Sequence, residues 1–70
     1  MAQPLAIVRR YKLLSQRDLA TLAGVSDSTV FLIESEKAIH PTLKVMRRIC
    51  DALHMAPLDI EEFRRELEEA

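Results

Sequence analysis

The single glycine of this chain, Gly24, stands between two stretches in which apolar residues recur at threes and fours. Only glycine enters the left-handed conformation cheaply, so it ends the first stretch and turns the chain before the second begins. Two helices joined by so short a turn must cross steeply, and the crossing restricts the residues around it. A small side chain is needed where the helices touch, and Ala20 supplies it. Branched apolar residues must point back into the core from the second helix. Val30 and Ile33 do this, while Leu19, Ala23 and Val25 complete the packing. Together these places define a helix-turn-helix unit over residues 16 to 35. A generic helical hairpin meets a few of these conditions, rarely all of them in so short a span.

The rest of the chain also reads as helix, since strand-like alternation is absent. Leu5, Val8 and Tyr11 or Lys12 give a first helix from about residue 4 to 13. "SQRD" at 15 to 18 has the shape of a capping box opening the second, which buries Leu19, Ala20 and Leu22 or Ala23. Ser26 caps a third helix over about 27 to 35, and residues 36 to 41 form a loop that Pro41 keeps from being helical. Thr42 caps a fourth helix to about Leu53, with Leu43, Met46, Ile49 and Leu53 inward. Pro57 opens a fifth, to about residue 69, whose apolar stripe is Leu58 or Ile60, then Phe63 and Leu67. The expected fold is all-α: one compact five-helix domain over 1–70, with the helix-turn-helix at helices two and three.

Seventy residues bury only about 60% of the surface the unfolded chain exposes, and nothing in the composition reinforces so small a core. His40 and His54 lie fourteen apart and Cys50 has no partner, so no disulfide or metal site can be assembled. Cys50 reads as a buried structural thiol. The apolar run Leu5 to Val8 is too short for a signal core or a membrane span, so a soluble, cytoplasmic chain is expected. No cofactor, metal or small-molecule ligand is called for. An enzyme is excluded as well, because catalysis needs a convergent set of titratable groups. The formal net charge of −1 conceals an asymmetry. Residues 1 to 50 carry eight basic side chains against four acidic ones; residues 51 to 70 carry two against seven. A basic module is followed by an acidic helix that points elsewhere.

"LSQRDLATLAGVS" at 14 to 26, "TVFLIE" at 29 to 34 and "HPTLKVMRRICDALHM" at 40 to 55 resemble the Cro/repressor-type (XRE-like) helix-turn-helix proteins. The resemblance runs from about Leu5 to Phe63 and implies a lambda-repressor-like domain of bacterial or phage origin, sequence-specific binding to double-stranded DNA, and a dimer. By this resemblance Gln16 is a phosphate-contacting and buttressing glutamine, with Arg17 beside it. Lys37, His40, Thr42 and Lys44 then form a second phosphate contact, and Arg9 pairs with Glu34 to hold the third helix. Dimerisation is expected through the last helix and Leu67, with Ile7 and Tyr11 as a second surface. Glu36 and His54 depart from the pattern, standing where glycine usually ends helices three and four. Either they take left-handed geometry at some cost or their helices run on.

If Val30 and Ile33 face inward, the opposite face of the third helix presents Asp27, Ser28 and Leu32, with Phe31 at the flank. The family's base-reading positions match the first three. Ser28 donates or accepts at several bases, Leu32 packs only on a thymine methyl, and Asp27 accepts from a cytosine amino group. No Arg–guanine or Gln–adenine pair is available on this helix. Two readings follow. The chain is a small dimeric transcription regulator whose affinity comes mainly from the DNA backbone. Alternatively, Phe31 and Leu32 form an apolar patch that docks a protein, as in an adaptor or antitoxin on the same scaffold. Arg47 and Arg48 either form a solvated face or pair with Asp51 and the last helix.

Overall fold

The computed structural model describes residues 1–35 and 40–68. Five α-helices follow in order: α1 (Leu5–Tyr11), α2 (Gln16–Ala23), α3 (Asp27–Glu34), α4 (Leu43–Leu53) and α5 (Glu61–Glu68), with one 3-10 turn at Pro57–Asp59. The domain is all-α. Their packing buries Leu5 and Val8 from α1, Leu19, Ala20 and Ala23 from α2, and Val30 and Ile33 from α3. From the C-terminal half come Met46, Ile49, Cys50, Leu53, Ile60 and Phe63. Of the pair left open at the end of α2, Ala23 is inside and Leu22 is outside.

Side-chain oxygens start three of the helices by satisfying N–H groups that the first turn leaves unpaired. Ser15 and Asp18 form a reciprocal capping box, with both bonds at 3.0 Å. Ser26 accepts from the Thr29 amide at 3.1 Å, and Thr42 from the Val45 amide at 3.2 Å.

Three helices also end alike. After α1 the Leu14 amide reaches back to the Arg9 carbonyl and Leu13 to Arg10; after α2 Val25 reaches Ala20 and Gly24 reaches Thr21. After α4 Met55 reaches Cys50 and His54 reaches Asp51. Each is the paired closure that places one residue in the left-handed region. Those residues are Leu13 (φ 60°), Gly24 (φ 71°) and His54 (φ 56°). Glycine serves at one closure only. His54 takes the strained geometry rather than letting α4 run on, and Leu13 does so where the sequence had suggested continuing helix.

Two expectations need correcting. Leu43 does not face inward: it opens α4 on the outside, 72% exposed, and Met46 is the first residue of α4 to enter the core. Pro57 does not open the fifth α-helix. It opens the 3-10 turn, Ile60 is extended, and α5 starts at Glu61. The cause is the N-terminal strap. The Gln3 amide donates to the Asp59 carbonyl at 3.0 Å and its carbonyl accepts from the Glu61 amide at 2.8 Å. This parallel bridge claims the backbone at Ile60, which a helix could not offer. Glu62 then accepts from the Leu5 amide at 2.8 Å, tying the start of α1 to α5.

Candidate nucleic-acid interface

The α2–α3 unit is built around buried Ala20, with Val30 and Ile33 of α3 turned into the core. That fixes the rotation of α3 and leaves Asp27, Ser28, Phe31 and Leu32 outward. Phe31 is 53% exposed and Leu32 36%. Ser35 closes the helix, its hydroxyl donating to the Leu32 carbonyl at 3.2 Å.

A polar network sets the tilt of α3. Arg9 meets Glu34 at two points, Nε to Oε2 at 2.6 Å and Nη2 to Oε1 at 2.9 Å, and its Nη1 donates to the Leu14 carbonyl at 2.8 Å. Gln16, the first residue of α2, donates to Glu34 Oε1 at 3.0 Å. One carboxylate thus joins α1, α2 and α3. Burial pushes the Glu34 carboxyl up. The hydrogen bonds from Arg9 and Gln16, with the charges of Arg9 and Arg10, outweigh it and hold Glu34 below the usual carboxylate range. The hydrogen bond to Glu34 raises Arg9 further above its already high value. A side-chain amide has two N–H groups, and Glu34 takes one from Gln16. The second is available at the start of α2, where the helix dipole favours an anion.

Arg17, one residue on, reaches across the turn and donates Nε–H to Asp27 Oδ2 at 3.2 Å. Both side chains are solvent-exposed. On the opposite flank of α3, Lys44 and Arg48 of α4 line an open cleft with Gly24, Val25, Ser26 and Thr29. Arg48 Nη1 donates to the Gly24 carbonyl at 3.1 Å. A Cβ at Gly24 would stand 3.1 Å from that same nitrogen, a contact the long Arg48 side chain can relieve by a small shift, so it is the φ of 71° that favours glycine there.

The residues expected to touch phosphate are not all in one place. Gln16 and Arg17 lie at the start of α2, and Thr42 and Lys44 at the start of α4. His40 is turned toward α5, its Nδ1 3.0 Å from Glu66 Oε2. Lys37, and Glu36 with it, lie outside the described residues. The acids of α5 are partly answered within the helix by Arg64 with Glu61 and Glu68, and by Arg65 with Glu61. Between α4 and α5, Leu43, Met46, Cys50, Met55, Pro57 and Leu67 line an apolar groove that Arg47 and Asp51 also border.

Sequence reasoning missed three contacts, Arg48 to Gly24, Arg17 to Asp27 and His40 to Glu66. Nothing in a helical pattern pairs residues 24 apart, so Arg48 was unreadable; Arg17 and Asp27 could have been found as opposite charges flanking the turn. Burial pushes the Cys50 thiol up, with Asp51 and Asp59 adding to it, as suits an inert core residue. Among the described residues no group of His, Cys, Asp and Glu could hold a metal ion. No helix there is long and apolar enough to cross a membrane.

A protein-family model described as helix-turn-helix matches residues 5–60. No curated protein and no solved structure gives a significant match.

Proposed function

The chain belongs to the Cro/repressor-type (XRE-like) helix-turn-helix family of DNA-binding regulators, and on that premise we propose that it is a small dimeric, repressor-like protein reading double-stranded DNA with α3. The observation that carries the proposal is the Arg9–Glu34–Gln16 network, which fixes the inner face of α3 and leaves Asp27, Ser28, Phe31 and Leu32 outward. A helix held rigidly at one angle with a free outer face is what major-groove docking requires. Gln16, Arg17, Thr42 and Lys44 meet the sugar–phosphate backbone, and the sequence adds Lys37 to them; His40, bonded to Glu66, would have to leave that partner to join. Arg48 joins them through the cleft it shares with Lys44 and Ser26. Ser28 and Asp27 read base edges, and Leu32 packs on a thymine methyl. Dimerisation runs through α5, where Leu67 and Leu43 border an apolar groove. The protein acts in the cytoplasm.

A second reading has an observation of its own. Phe31, exposed beside Leu32, is a large apolar residue where groove-facing helices carry polar ones, and the two form a patch suited to a protein partner. An antitoxin would use that patch. Duplex binding followed across a salt series separates the two, because only backbone-driven binding depends steeply on salt.

A further inference from the structure

Asp27 is an unexpected residue for a helix that enters a groove. A carboxylate there meets the negative potential of two phosphate strands, and alone it weakens binding to every sequence. The structure supplies a counter-charge. Arg17 spans from the second residue of α2 to the first of α3 and bonds Asp27 Oδ2 through Nε at 3.2 Å. In free solution so exposed a pair contributes little to folding. Its chemistry points outward instead. Nε uses one guanidinium N–H, and the remaining N–H groups of Arg17 take no part in this bond, nor does Asp27 Oδ1.

We infer that Arg17 is a specificity-determining positioning residue, holding Asp27 neutralised and aimed so that Oδ1 accepts from a base amino group while Arg17's terminal nitrogens face the flanking phosphate. The inference rests on α3 being the groove-facing helix. It also states what is read. In the major groove cytosine offers an amino group at N4 and adenine one at N6, whereas guanine and thymine present keto acceptors that repel a carboxylate. The pair therefore divides the bases of the contacted strand at one position into amino-presenting (adenine, cytosine) and keto-presenting (guanine, thymine), a choice of strand orientation that neither Ser28 nor Leu32 can make.

The test begins with duplexes selected by the wild-type protein from a randomised pool. Binding of the selected duplex and of its single-base-pair replacements is then measured for wild type, Arg17→Ala, Asp27→Ala and the double variant. One position should prefer an amino-presenting base by about tenfold in the wild type. Asp27→Ala should abolish that preference. Arg17→Ala should reduce it to roughly twofold with preferences elsewhere intact, and the double variant should lose no more discrimination than Asp27→Ala. Unchanged thermal unfolding shows that the variants remain folded. An intact preference in Arg17→Ala, with weaker binding to all duplexes alike, overturns the inference and leaves Arg17 a plain phosphate contact. No altered preference in Asp27→Ala overturns it too. Wild-type binding without any sequence preference overturns it while leaving DNA binding in place; no duplex binding at low salt removes both.

Discussion

Arg9 grips Glu34 through two nitrogens, at 2.6 and 2.9 Å, across a sequence separation of 25 residues. The side chains of both partners are largely buried, and the pair ties the frame of the domain to the angle of α3. Removing one partner of a buried pair strands the other, at a cost of about 3 kcal/mol. Arg9→Ala and Glu34→Ala should cost about the same, because the first also loses the bond to the Leu14 carbonyl and the second the bond from Gln16. The double variant should cost clearly less than the two singles together, measured by denaturant unfolding. Additive losses would show that the pair is not coupled.

Acid should weaken the domain through the same carboxylate. Glu34 is held below its ordinary value in the folded state, so the folded state binds its proton less readily than the unfolded chain. Its contribution is complete above the unfolded carboxylate value and is lost as pH falls through the folded one, roughly from pH 5 downward. Asp18, held low by its hydrogen bonds with Ser15, acts in the same direction. Unfolding midpoints taken along a pH series should therefore fall on the acid side, and Glu34→Gln should make the fall shallower. An identical slope in the variant would assign acid sensitivity elsewhere.

Two of the three left-handed helix ends make opposite predictions. Gly24→Ala should destabilise by about 1–2 kcal/mol, since its φ is 71° and its Cβ would press on Arg48. Adding Arg48→Ala should relieve the contact but not the backbone strain. His54→Gly should instead stabilise, by about 0.5–1 kcal/mol after the greater freedom of the unfolded chain is deducted. A destabilised His54→Gly in thermal unfolding would mean that the imidazole contributes more than the strain costs.

On DNA the variants should sort into two classes. Gln16→Ala and Lys44→Ala should weaken binding to all duplexes alike; Lys44→Ala should also lower the salt slope by about one, whereas loss of the uncharged Gln16 should leave the slope unchanged. Leu32→Ala should alter preference at a single base pair, and competition between duplexes differing at one position reads this directly. A uniform loss for Leu32→Ala would deny it a role in base reading.

How much of this was legible in the chain depends on the range of the signal. The α2–α3 frame was readable because Ala20, Gly24, Val30 and Ile33 are constrained by one another within a short span. The caps at Ser15, Ser26 and Thr42 were readable because a cap is local chemistry. The pairing of Arg9 with Glu34 came from the resemblance, since two charges at that separation carry no pattern of their own. Leu43 was misread because its spacing fits the inward face, yet it falls in the first turn of α4, outside the core. The start of α5 was misread because the strap that displaces it is a backbone bond from Gln3, which no side-chain pattern records. At the interface, the outward set on α3 followed from the inward one. The Arg17–Asp27 pair was within reach as opposite charges flanking the turn, whereas the Arg48–Gly24 contact follows only from the way α4 packs on α2.

The central claim is that α3 docks in duplex DNA and that the backbone supplies most of the affinity. Equilibrium binding of the protein to a mixed-sequence duplex, across roughly 50 to 200 mM salt, tests it most directly. The expected result is a linear fall of log affinity with log salt, steep enough for several phosphate contacts. Absence of binding even at the lowest salt, or affinity indifferent to salt, would contradict the claim and leave the exposed Phe31 and Leu32 as the basis of a protein-docking role.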